Sequence, residues 1–176
     1  MKSITTIAVS ALFACSALAA HDHPRESVQI IDEGGEAVGL AELTQGPRGT
    51  VIRLELEGLE PGPKAIHIHG TGTCADHDHG FQDSGGHLNP QGAEHGLLNP
   101  QGPGAGDLPN FYVHEDGRAW AEFYTTAVSL DGAFGASLSG EDGTALVIHE
   151  NPDDHTSQPI GGAGSRVACG VIHPVD

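Results

Sequence analysis

Positive charge is scarce in this chain. Its 7 lysines and arginines stand against 24 aspartates and glutamates, a formal net charge of −17 over 176 residues. So acidic a surface repels phosphate backbones and anionic lipid alike, which excludes nucleic acid and anionic membrane surfaces as partners. It also requires any anionic substrate to be drawn in by a local positive feature, against the field of the whole molecule. Cysteine is scarce too, at 3. The longest apolar run, at the amino terminus, is too short for a membrane span. There is no internal repeat and no convincing amphipathic helix.

That apolar run, residues 4–12, follows Lys2 and precedes Ala17-Leu18-Ala19, a small-x-small site. The pattern is that of a secretory signal peptide. Cleavage is expected after Ala19, or one residue later after Ala20, leaving residues 20–176 as the mature chain. Leu12-Phe13-Ala14-Cys15 loosely resembles a bacterial lipoprotein processing box, in which Phe13 is out of place; lipidation at Cys15 is the alternative to simple cleavage. Either way the expected destination is the periplasm or the exterior. Two cysteines then remain, Cys74 and Cys169. In an oxidising compartment such a pair reads as a disulfide, and the long loop it closes corresponds to about 4–5 kcal/mol in the chain-entropy account. Two inert buried thiols are the alternative.

The mature chain is sized for one domain of roughly 155 residues. With 26 glycines and 11 prolines, and plain apolar alternation between the loops, it reads as an all-β, loop-rich protein. A short polar lead-in, residues 21–26, precedes the first strand, at residues 27–32. Further strands are expected at residues 36–43 and 50–57, around His67 and His69, and at residues 110–113, 119–125, 145–149 and 166–172. In the third, Ile52, Leu54 and Leu56 share one face and Arg53, Glu55 and Glu57 the other, as in a half-buried antiparallel strand. Gln45-Gly46-Pro47-Arg48-Gly49 and Pro61-Gly62-Pro63 read as turns. About eight short antiparallel strands point to a β-sandwich or a Greek-key barrel. Residues 70–109 have almost no periodicity, and an irregular stretch of that length in a compact domain is usually functional.

That stretch is bordered and filled by histidines. In AIHIHGTGTC, His67 and His69 lie two apart on an extended run and so point the same way. Converging imidazoles suit copper or zinc, although two surface histidines on a half-exposed strand would give the same dipeptide spacing. DSGGHLNPQGAEHG adds His87, in a turn set by flanking Gly and Pro, and His95 eight residues on. Asp107 closes the loop in GDLP. His149 ends the apolar run ALVIH, leaving a strand as His67 and His69 do. GGAGSRVAC places Arg166 three residues before Cys169.

In order and at workable spacings, HIH…C, GGHLNP, EHG, GDLP, VIHE, DD and GGAGSRVACGVI resemble the copper–zinc superoxide dismutase family, in its exported bacterial branch, over nearly the whole mature chain. The resemblance implies a Greek-key barrel with copper and zinc as cofactors and superoxide as substrate. It implies copper ligands at His67, His69, His87 and His149, with His87 bridging to zinc, and zinc ligands at His95 and Asp107. It further implies a Cys74–Cys169 disulfide, an anion-guiding guanidinium at Arg166, and at Asp153 a carboxylate linking the two metal sites. Copper would alternate between Cu(II) and Cu(I), with His87 leaving copper on reduction and taking up a proton for the departing peroxide.

One zinc ligand is missing. The family places a histidine three residues before the GDLP aspartate, and here Gly104 holds that position. Zinc would keep His87, His95 and Asp107, one short of a closed structural site. Either it is weakly held or absent, or water, His77, His79 or His155 completes the shell; solvated loop residues are the plain alternative for those three. His21 and His23 could chelate Cu(II) near the mature amino terminus, or belong to a flexible tail. His114 and His173 receive no role. Two other function classes remain open: an exported copper-buffering protein without rapid turnover, against which the retention of His149 and Arg166 counts, and an interaction module on the same barrel. A monomer or a homodimer is expected, with no membrane attachment.

Overall fold

The computed structural model of the chain describes residues 23–173. The expected signal peptide, Cys15 and His21 lie outside the described residues. Within them run eleven strands: β1 (Arg25–Asp32), β2 (Ala37–Gln45), β3 (Thr50–Leu56), β4 (Gly62–Lys64), β5 (Ile66–His69), β6 (Phe111–Val113), β7 (Ala119–Thr125), β8 (Val128–Ser129), β9 (Ala136–Ser137), β10 (Thr144–His149) and β11 (Arg166–Ile172). Side-chain alternation sets their faces. In β3, Ile52, Leu54 and Leu56 are buried, while Arg53 and Glu55 face solvent. Arg53 lies between Glu42 and Glu122 of the neighbouring strands, at 3.7 and 3.1 Å.

Seven strands form one curled antiparallel sheet in the order β5-β10-β11-β1-β2-β3-β7. The two carboxy-terminal strands fill the gap between β5 and β1, which is the long return connection of a Greek key. Inside the curl, Val28, Ile30, Leu43, Ile52, Leu54, Ile66, Ile68, Leu146 and Ile148 form one core. Burying each such side chain contributes about 1.5–3 kcal/mol. A second, smaller cluster lies outside the barrel wall, where Phe81 and Cys74 of the long loop cover Ala145, Val147 and Cys169. That loop is pinned there by the Cys74–Cys169 disulfide, with Cα atoms 5.8 Å apart.

The eight expected strands are all present, two with the expected bounds and the others with ends shifted by no more than two residues. The second runs on to Gln45 because that residue is buried and bonded: its amide oxygen accepts from Leu130 N at 2.7 Å, and its Nε2 donates to Asp131 at 2.8 Å. Three more strands were not expected. Gly62 and Pro63, read as a turn, belong to β4, which pairs with β6 through Gly62↔Val113 and Lys64↔Phe111. The strand is three residues long and tolerates Pro63 because it has a partner on one side only. β8 and β9 form a two-residue parallel pair too short to leave a periodic signal. Residues 70–109 contain two 3-10 turns, His77–His79 and Gln82–Ser84, and are otherwise irregular.

Candidate metal centre

β5 is buried on both faces. Ile66 and Ile68 enter the barrel core, while His67 and His69 point outward beneath the long loop. The loop reaches them through backbone pairing. His67 bridges to Asp107 and His69 to His87, with Ile68 N donating to Gly106 O at 2.9 Å and Leu88 N to Ile68 O at 2.7 Å. Gly106 is required for this approach, since a Cβ there would run into the Ile68 carbonyl. On the other side of β5, β10 pairs Val147 with His67 and carries His149 at its end.

His67, His69, His87 and His149 each bring one ring nitrogen into a group whose atoms all lie within 4.8 Å of one another. The opposite nitrogens are held. His69 Nδ1 lies 2.9 Å from Gly85 O, and His149 Nδ1 lies 3.3 Å from Gly164 O. His67 Nε2 lies 2.8 Å from Asp153 Oδ2, and His87 Nδ1 lies 3.1 Å from Asp107 Oδ1. A carbonyl or carboxylate can only accept, so each ring places its proton towards that oxygen and turns a lone pair inward. The inward atoms are His67 Nδ1, His69 Nε2, His87 Nε2 and His149 Nε2, and all four are buried with no hydrogen-bond partner. Such orphaned acceptors are costly unless something occupies the space between them. Burial also keeps three of the rings neutral, pushing His67 down to about 4, His149 to about 3 and His69 to about 2. Four imidazoles turned towards one point fit a copper ion.

Beside this set, His87, His95 and Asp107 form a second one. Asp107 Oδ1 lies 3.1 Å from His87 Nδ1 and 2.8 Å from His95 Nδ1. Its other oxygen, Oδ2, accepts from the backbone N–H of Gly96 and of Gly104, each at 2.9 Å. Burial works against the charge on Asp107, but the His87 hydrogen bond, these two N–H groups and the nearby His95 hold it down to about 2. Two imidazoles and a carboxylate fit zinc in kind but supply only three of the four donors of a closed site.

Asp153 joins the two sets. Its Oδ2 lies 2.8 Å from His67 Nε2 and 2.9 Å from His95 Nε2. Burial opposes its ionisation, yet hydrogen bonds from His67, His95 and the His155 backbone hold it well below the usual carboxylate range. Asn110 fixes the backbone of Asp153, accepting from its N–H and donating to its carbonyl, both at 2.8 Å. Sequence reasoning missed Asn110, which sits in no recognisable spacing. It also missed Gly85 and Gly164, whose carbonyls set the His69 and His149 tautomers; backbone oxygens leave no residue-type signal.

Arg166 is anchored rather than free. Its guanidinium donates to Phe81 O at 2.6 Å, Ser84 Oγ at 3.0 Å and Gly85 O at 2.8 Å. It lines a cavity of about 490 Å³ together with His69 and His87. The three histidines considered as replacement zinc ligands join neither metal group. His77 Nδ1 lies 3.1 Å from Glu33 O, and His79 is exposed beside Asp78. His155 stacks behind Asp153, its Nδ1 3.5 Å from Oδ2, with its backbone at φ 62°. His114 and His173 lie outside both groups, as does His23 at the edge of the described residues.

The profile of the family described as copper/zinc superoxide dismutase matches residues 37–172. A Cu-Zn superoxide dismutase of Caulobacter vibrioides is 45% identical over 140 residues, covering 78% of this chain and 79% of that protein. Cu-Zn superoxide dismutase 2 of Aquifex aeolicus is 42% identical over 173 residues, 98% of this chain and 99% of that one. A double mutant of a SOD-like protein from Bacillus subtilis superposes with a TM-score of 0.79 at 38% identity, over 84% of this chain and 96% of that structure. The Cu/Zn superoxide dismutase from Brucella abortus does so at 0.68 and 26% identity, over 85% and 100%. The residues matched by the family profile take in β2 to β11 and the loops that carry the two histidine groups. By sequence and by architecture, the chain belongs to the copper/zinc superoxide dismutase family.

Proposed function

We propose that this chain is an exported, copper-dependent superoxide dismutase whose zinc site lacks one protein ligand. The observation that carries the reading is the set of four buried, partnerless imidazole nitrogens on His67, His69, His87 and His149. Copper held there would oxidise one superoxide to O2 and reduce a second to hydrogen peroxide, with uptake of two protons.

The chain's own groups account for the rest. Gly85 O, Gly164 O, Asp153 and Asp107 hold the four rings in one tautomer each, so that no proton must leave before copper enters between them. Arg166 keeps a permanent positive charge in the cavity wall of an otherwise acidic molecule, which attracts a small anion against the overall field. The same fork ties together the loop around Phe81–Gly85, so Arg166 is both anion guide and clamp. His87 faces the copper group with Nε2 and the zinc group with Nδ1. Export is supported by residues 1–20 and by a disulfide suited to an oxidising compartment.

Metal analysis of protein recovered from the periplasm, with the rate of superoxide decay measured alongside, tests the reading. Near one copper per chain, zinc well below one, rapid turnover and a mature chain starting at residue 20 or 21 are expected. Tightly bound copper without turnover would make the protein a copper buffer. A full zinc equivalent that survives mild chelation would mean the zinc shell is complete.

A further inference from the structure

The zinc-type group differs from a closed site in a way that gives it chemistry of its own. His87 Nδ1, His95 Nδ1 and Asp107 Oδ1 converge, and among the described residues no fourth His, Cys, Asp or Glu joins them. Asp107 cannot become bidentate without breaking the two backbone hydrogen bonds that hold Oδ2. Asn89, the side chain nearest to the gap, is already engaged: its Nδ2 donates to Ala93 O at 2.7 Å and its Oδ1 accepts from Ala93 N at 3.0 Å. Nor has the space been filled. A Cβ built on Gly104 would meet Asn89 at 3.4 Å and Asp107 at 3.6 Å, ordinary contact distances, with no backbone in its way. Gly104, Asp107 and His95 line the same cavity of about 490 Å³ as His69, His87 and Arg166.

We propose that zinc held by His87, His95 and Asp107 keeps an open fourth position on this cavity, and that the position takes water or a small monodentate anion from solution. The inference rests on the three-ligand zinc site proposed above. Three protein donors with an exchangeable fourth ligand is the arrangement of reactive zinc sites, whereas structural sites are closed. Charge selects the class of ligand. His87 would give up its Nδ1 proton to reach zinc while Nε2 holds copper, but one shared imidazolate, one neutral imidazole and one carboxylate still leave the pair of metal ions with net positive charge, and Arg166 adds another cation to the same cavity. A small anion entering this family member would therefore meet two cationic destinations, at the copper group and at the Gly104 gap.

Cobalt spectroscopy tests this without reference to turnover. The mature protein is loaded with Cu(I), which is spectroscopically silent, at the four-histidine group and with Co(II) at the His87–His95–Asp107 group, then titrated with azide. A saturable shift of the cobalt d–d bands in the natural protein, absent in Gly104→His, is the expected result. Cobalt that binds but ignores azide would overturn the open position while leaving the three-ligand site standing. Failure of the site to retain cobalt at all would overturn that site and the proposal with it. Equal shifts in the natural protein and in Gly104→His would also overturn the proposal, since the anion would then be entering elsewhere.

Discussion

His149 and Arg166 are paired across β10 and β11 at the point where the register of that ladder slips. Ile148 stands opposite Ala168, so Val167 is the extra residue between the two pairs. A bulge of this kind bends its strand and re-aims the neighbouring side chains. A proposed copper ligand and the cavity's cation thus owe their juxtaposition to one backbone irregularity.

Arg166 should be separable into its charge and its fork. Arg166→Ala is expected to slow superoxide capture about tenfold or more at low ionic strength, and to flatten the salt dependence. Arg166→Lys keeps the charge but cannot bond Phe81 O, Ser84 and Gly85 O as a planar fork does. Its rate should fall between the two. Stopped-flow superoxide decay across a salt series checks this, and identical rates in all three proteins would remove Arg166 from anion capture.

Loss of one copper nitrogen should abolish the activity. His149→Ala or His67→Ala leaves three of the four partnerless nitrogens, and copper retention against a chelator is expected to fall together with dismutation. Normal copper content with near-natural turnover in either variant would show that the copper group has been misassigned.

Much of this site was legible in the residues themselves. His67 and His69 on one strand, the Gly- and Pro-flanked turn at His87, and His149 at the end of an apolar run all gave faces or exits that the backbone confirms. The strands with clean alternation were equally legible, β3 above all. What remained hidden was everything carried by the main chain: the Val167 bulge, the tautomer-setting carbonyls and the close approach at Gly106. The short strands β4, β8 and β9 were hidden because two or three residues show no period. His77, His79 and His155 looked alike in sequence, yet only His155 comes near the centre, because the loop doubles back at Asp153.

Opening the disulfide should unpin the loop. Replacing Cys74 and Cys169 by serine is expected to cost about 2–5 kcal/mol, read as a lower urea midpoint. It should also loosen the cover of Phe81 over Val147 and Ala145, read as faster amide exchange in residues 74–85. An unchanged midpoint would mean that the loop packing alone holds this face.

Acid should destabilise the metal-free protein early. His67, His149 and His69 are depressed from 6.5 to about 4, 3 and 2 by burial. Between 6.5 and those values the unfolded chain binds protons that the folded chain refuses, so stability rises with pH there and falls on acidification below 6.5. Asp107, lowered from 3.8 to about 2, stabilises the fold above 3.8, and that contribution is lost as pH falls towards 2. The urea midpoint of metal-free protein should therefore drop between pH 7 and pH 5. A flat profile over that interval would mean the three rings titrate as they do in water.

The single carboxylate of Asp153, held between His67 and His95, has a thermodynamic consequence. A group that touches one ligand from each set makes the two occupancies interdependent, and interdependence of binding free energies is reciprocal. By whatever factor a cation on the Asp107 side tightens the hold on copper, copper must tighten the hold on that cation. If the coupling is favourable, copper bound at the four-histidine group would raise the zinc affinity of the proposed three-donor group at His87, His95 and Asp107. The sign of that coupling would then set the order of loading: copper before zinc where it is favourable, one ion without the other where it is not.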